Sequence, residues 1–315
     1  MTHPSSNRIA GLVFALASVV ASGCSNGGDA ASGATASSGA ATSGATASSG
    51  AAAGSVVVGV PLSAEEIAKV VNPKSQPAYA GPTGTLRGTV HITGDPPPEL
   101  SLKYPDSPCA GEARAVHGKL FRVGQDGALA DALVAVTGYP AYVPAKAEAV
   151  KATIHKCALS TRTLVAMFGQ RIEIANLDSV DSYMPYLDGA PTSAILVAIP
   201  KGDAVRLYPP QPGHYLIRDQ LPNNHMTADV FVLAYGTTAV TGLDGKYEIT
   251  GIPVGQVAVN AMLPATKKSA GQRIEIKPGD NTLDLTLTFD AAKDTPGAAP
   301  EAKDPKGADA KDPKK

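Results

Sequence analysis

From Leu86 to Phe289, apolar and polar positions take turns along short runs: "LRGTVHITG" (86–94), "RIEIAN" (171–176), "DVFVLAYG" (229–236), "GKYEITG" (245–251) and "TLDLTLTF" (282–289). A period of two sends successive side chains to opposite faces, so each run predicts a half-buried strand. The stretches 119–138, 193–209, 214–218 and 255–263 read as strands or hairpins on the same grounds. Gly, Pro, Asn and Asp punctuate them. Asp126-Gly127 and Asp244-Gly245 are hairpin-type pairs suited to positive φ, and Pro278-Gly279-Asp280 is a turn between two alternating runs. Strands at this spacing, with no long amphipathic helix between them, predict an all-β fold of Greek-key sandwiches.

One short helix precedes the strands. In "LSAEEIAKVVNP" Ser63 and Glu66 have capping-box spacing and Pro73 stops continuation, which predicts a helix over 64–71 within a linker spanning 56–82. Its apolar residues Ile67, Val70 and Val71 are expected to dock on the core, with a partner as the alternative. The chain ends differ in composition. "IAGLVFALASVVA" after a single Arg reads as the apolar part of an export signal over 1–23, too short for a comfortable span. Ala21-Ser22-Gly23-Cys24 resembles the bacterial lipobox, which implies lipidation at Cys24, with Ser25 pointing to the outer membrane. The alternative is an ordinary signal cleaved near Ala21, leaving Cys24 a free thiol. Residues 24–55 repeat Ser, Gly, Ala and Thr and carry nothing large enough to offset ordering entropy, so they read as a tether. Residues 290–315, with repeated Ala-Lys-Asp-Pro, read as a disordered tail.

Two stretches carry family resemblances. "TGLDGKYEITGIPVGQVAVNAM" (241–262) resembles the carboxypeptidase regulatory-like, transthyretin-like module: an Asp-Gly hairpin, an aromatic, then Gly-Ile-Pro-x-Gly before the next strand. Gly251 and Gly255 bracket a turn fixed by Pro253, while Tyr247 and Ile249 alternate inward. The opening strands of that module sit far upstream, at 87–94 and 130–138, which implies one sandwich built from 83–145 and 237–289. The intervening 146–236 resembles a cupredoxin-like domain through "CALSTRTLVAMFGQRIEIANLD" (157–178).

That resemblance raises copper as the candidate cofactor. A blue-copper site needs two imidazoles and a thiolate, with a weak axial ligand such as Met. The first His is due near Ser182, and none is there; the second loop, "LIRDQLPNNHMTADV", offers His225 and Met226 but no Cys. His214, His225 and Met226 remain as weak metal candidates, with His225 read as an exposed loop residue, and no cofactor is expected. The loop "DSVDSYMPYL" becomes a candidate binding loop through Asp178, Asp181, Ser182, Tyr183 and Tyr186. Its carboxylates suit either Ca²⁺ or an Asx-type turn, and its tyrosines either a recognition patch or a sandwich cap. With Cys24 lipidated, Cys109 and Cys157 are left to pair in an oxidising compartment, at positions where the resembling proteins carry Cys too; two free thiols or a Cys157–His155 metal pair are the alternatives.

Charge narrows the partners. Net charge is −1 and charged residues are 17%, with no basic cluster interleaved with aromatics, so no nucleic-acid surface is expected. No nucleophile elbow, zinc-peptidase or phosphate-loop motif occurs. The expectation is a non-catalytic, lipid-anchored envelope protein that binds another protein or a glycan. A periplasmic copper carrier with an atypical site is the alternative.

Overall fold

The computed structural model describes residues 61–190 and 195–296. The export signal, Cys24, the tether and nearly all of the tail lie outside the described residues. Within them the chain is all-β, with four four-stranded sheets, three short α-helices and one 3₁₀ turn.

The sheets form two sandwiches. In the first, Thr83–Gly94 pairs antiparallel with Lys246–Pro253 and parallel with Gly279–Thr282 and Leu285–Phe289. The facing sheet runs Thr238–Val240, Leu133–Thr137, Gly255–Leu263, Lys268–Ile276. Strands from either side of the long middle segment therefore share both sheets. Their inward residues make one core, including Leu86, Val90, Val134, Tyr247, Ile249, Ile252, Val259 and Phe289. In the second sandwich one sheet runs Ala158–Leu159, Ala149–His155, Arg171–Asn176, Val205–Leu207; the other runs Thr163–Met167, Thr227–Leu233, Gly213–Asp219, Pro185–Asp188. Its own core includes Ile154, Ile172, Ile174, Leu207, Ile217 and Val230. At about 1.5–3 kcal/mol for each fully buried aliphatic side chain, each core is a substantial driving force alone. The second sandwich enters and leaves the first at one place: a Cβ at Gly236 would lie 3.8 Å from Ala145 Cα.

Local chemistry explains the elements and the departures from expectation. The helix Ala64–Val71 carries both halves of the Ser63–Glu66 capping box. Ile67 and Val71 pack on the second core, whereas Val70 stays 37% exposed, a correction to the expected three-residue face. The stretch 119–138 is not a continuous hairpin. Asp126 (φ 54°) and Gly127 (φ 76°) turn tightly beneath a Val123–Leu129 bridge, and Asp131 (φ 61°) breaks the run, so the strand begins at Leu133. Likewise 195–209 keeps an alternating pattern but forms a strand only at Val205–Leu207, because Pro200 and Lys201 (φ 52°) interrupt it. The helix Ala110–His117 was not anticipated.

A clamp holds the sandwiches together. The Asp131 carboxylate, 4% exposed, accepts Nε and Nη2 of Arg122 at 2.7 Å each. It also accepts the Arg162 amide at 3.0 Å and Thr161 Oγ1 at 3.2 Å, both from the second sandwich. Nearby, a disulfide joins Cys109 to Cys157 across 48 residues, with Cα atoms 5.7 Å apart.

Candidate functional site

The loop after Arg171–Asn176 is built around two side chains that the fold consumes. Asn176 is 1% exposed, and its Nδ2 donates to the carbonyls of Asp181 (2.7 Å) and Ala198 (2.8 Å). The Asp178 carboxylate accepts the Tyr183 hydroxyl at 2.7 Å, the Cys157 amide at 3.1 Å and the Lys156 amide. Those amides belong to consecutive left-handed residues, Lys156 (φ 52°) and Cys157 (φ 58°), whose donors need an acceptor. Burial works to raise the Asp178 carboxyl, but the hydrogen bonds from Tyr183, Cys157 and Lys156 outweigh it and hold the group below its usual range. Burial, then the adjoining Asp178 carboxylate, pushes the Tyr183 phenol far above its ordinary value.

The candidate binding loop therefore divides. Asp178 and Tyr183 are structural, with Tyr183 2% exposed. Tyr186 lies half-buried in Pro185–Asp188. Asp181 and Ser182 alone face solvent among the five.

The second loop departs further from expectation. His225 is not an exposed loop residue: it is 1% exposed, and its Nε2 lies 3.0 Å from the Cys157 carbonyl. The physical reason is its covering: the Cys157 carbonyl meets Nε2, and the Tyr104 and His117 rings lie 5.2 and 5.9 Å from its own. Burial lowers its imidazole pKa, against opposing contributions from the Cys157 carbonyl, Asp219 and the Lys103 backbone. Met226 is 3% exposed within the second core. His214 does not join them; its Nε2 lies 2.7 Å from Asp229 Oδ1, and its ring stacks on Phe231 at 4.6 Å. The weak metal candidates thus occupy separate environments. A thiolate copper centre does not fit: a serine stands where the first imidazole is due, the second loop carries no sulfur but the buried Met226 thioether, and His225 Nε2 is already engaged. Among the described residues Cys109, Cys157 and Asp181 bring three donor atoms within 4.8 Å, but the disulfide removes both thiolates.

An apolar surface surrounds this end. From 195 to 199 burial alternates, with Leu196 and Ala198 inside while Ile195, Val197 and Ile199 are 69%, 48% and 54% exposed. Ala198 bridges to Tyr183, so the segment lies beside the first loop, where Leu177 and Val180 are 48% and 82% exposed. Pattern reading missed this surface because the alternation at 193–209 looks like that of a strand with its apolar face inward.

No protein-family model matches the chain, and no curated protein matches it. Among solved structures it is similar to the copper-containing nitrite reductase NirK of Thermus scotoductus SA-01, at 15% identity and TM-score 0.24, covering 30% of this chain and 24% of that one. The chain thus spans about a quarter of that reductase. It is also similar to amicyanin from Paracoccus versutus, at 20% identity and TM-score 0.23, covering 31% of this chain and 96% of that one. A Cu(I) amicyanin mutant gives 20% identity and TM-score 0.24 over 27% and 82%. The copper named with these structures belongs to those proteins.

Proposed function

We propose that this chain is a non-catalytic binding module of the bacterial cell envelope, anchored through Cys24 in the outer membrane, which engages a protein partner through the end of its cupredoxin-like sandwich. The apolar surface of Leu177, Val180, Ile195, Val197 and Ile199 carries the reading. Five of the eight large apolar side chains exposed among the described residues gather there. Large exposed apolar patches are uncommon on monomers and mark interaction surfaces. Its character favours a protein over a glycan, since sugars present hydroxyls that such side chains cannot satisfy. The carboxypeptidase regulatory-like sandwich then serves as a rigid base, and the Ser/Gly/Ala tether sets reach.

Site-specific photocrosslinking in cells tests it. A photoreactive amino acid in place of Val180 or Ile199 is expected to yield discrete adducts, and one in place of the exposed Thr286 on the far sandwich none. Equal adducts from all three positions, or none from the patch, defeat the proposal, as does a thiolate-to-copper colour in the purified protein. Fatty-acid labelling lost in Cys24→Ala checks the anchor.

A further inference from the structure

Three buried side-chain polar atoms have no hydrogen-bond partner among the described residues: Tyr104 Oη, His117 Nε2 and His225 Nδ1. All three belong to one cluster. The His225 ring centroid lies 5.2 Å from that of Tyr104 and 5.9 Å from that of His117. Native interiors satisfy nearly all their buried polar atoms, so three orphans side by side call for a guest.

His225 defines the guest's chemistry. A carbonyl only accepts, so the contact with Cys157 places a ring proton on Nε2; the Lys103 backbone also bears on the ring, but Nδ1 makes no hydrogen bond and keeps its lone pair. A lone pair repels an anion and takes a Lewis acid. An imidazole whose second nitrogen donates to a backbone carbonyl is also how proteins orient metal-bound histidines. His117 brings a second buried imidazole nitrogen without a hydrogen bond to the same place. Metal–nitrogen bonds of about 2 Å let two imidazole centroids sit up to roughly 6 Å apart across one ion, which accommodates the pair. Tyr104 supplies oxygen. The Arg114 guanidinium lies 5.1 Å from its ring centroid.

We infer that His117 Nε2, His225 Nδ1 and Tyr104 Oη form a site for a divalent first-row transition-metal ion where the 100–118 segment meets the second sandwich. The site is free of sulfur and draws two of its three ligands from outside the cupredoxin-like segment, so it is distinct from the thiolate centre excluded above. A bound ion fastens Tyr104 and the helix Ala110–His117 to the loop of His225, beside the disulfide.

Titration of the chelator-stripped full chain with Zn²⁺ is expected to fill one site and to raise Tm by several degrees. In a His117→Gln, His225→Gln double variant shown folded by circular dichroism, affinity should fall at least about 100-fold and the Tm response vanish. Tyr104→Phe, which keeps the ring, should weaken binding about 10-fold and abolish the phenolate-to-metal charge-transfer band of the Cu²⁺-loaded protein. Absence of saturable Zn²⁺ uptake, or uptake unchanged in the double variant, overturns the site. So does a Cu²⁺ spectrum without the phenolate band, or a high-resolution map of the zinc-treated protein with only a water there. The crosslinking test of the apolar patch is unaffected by any of these results.

Discussion

Asp131 shows how one side chain governs the junction between the sandwiches. It adopts a left-handed backbone, costly for a non-glycine residue, and turns its carboxylate toward two arginines and a threonine that approach from different directions. Replacing it by Ala leaves Arg122, whose side chain is 13% exposed, desolvated and unpaired. A loss of about 3–5 kcal/mol is expected, read from denaturant midpoints. Asp178 behaves differently. Its folded pKa lies below the usual value of 3.8, so its contribution is present above that pH and is lost as pH falls through the folded value. The stability difference between the wild type and Asp178→Asn should therefore shrink below about pH 4, as acid titrations of both would show. Neither role is written in the local sequence. Asp131 in "GALADALVAV" and Asp178 in "NLDSVDS" both look like turn residues, because the partners of the first lie 9 to 31 positions away and those of the second up to 22.

The helices repeat the contrast between local and distant causes. Ala64–Val71 is legible from its capping box and stop signal, since both act within one turn. Its landing place is not. Gly169 has φ +99°, and a Cβ there would come within 2.7 Å of Ile67 Cγ2, so the helix sits where only glycine lets it approach. Gly169→Ala should cost roughly 1–3 kcal/mol and speed proteolytic release of the chain before Thr83. Ser63→Ala should cost about 1 kcal/mol and quicken amide exchange in the helix alone. The helix Ala110–His117 escaped notice for a different reason. Its "AGEARAV" run holds good helix formers, but its N-cap is Cys109 with no side-chain hydrogen bond, and its buried face is only Ala113 and His117. The disulfide at its start holds what its own sequence marks weakly.

The nested arrangement makes a prediction for the molecule as a unit. Deleting 146–236 and joining Ala145 to Thr237 closes a short gap, given the approach of Gly236 to Ala145. The remainder keeps both sheets of the first sandwich and should unfold cooperatively. It should be less stable, lacking a disulfide worth about 4 kcal/mol on chain entropy and the Asp131 contacts to Thr161 and Arg162. A remainder without a cooperative transition would mean that the second sandwich is needed to complete the first. The all-β class, most strands and the positive-φ turns at Asp126-Gly127, Gly245 and Gly279 were all readable along the chain. Each depends on side-chain period, backbone sterics or the residue types themselves, which act over a few positions. Packing settled the rest: which strands pair across up to 195 residues, that Tyr183 is inside and Ile199 outside, and that His117, His225 and Tyr104 meet. Burial and encounter belong to the folded whole, because they arise only when distant segments exclude water from one another.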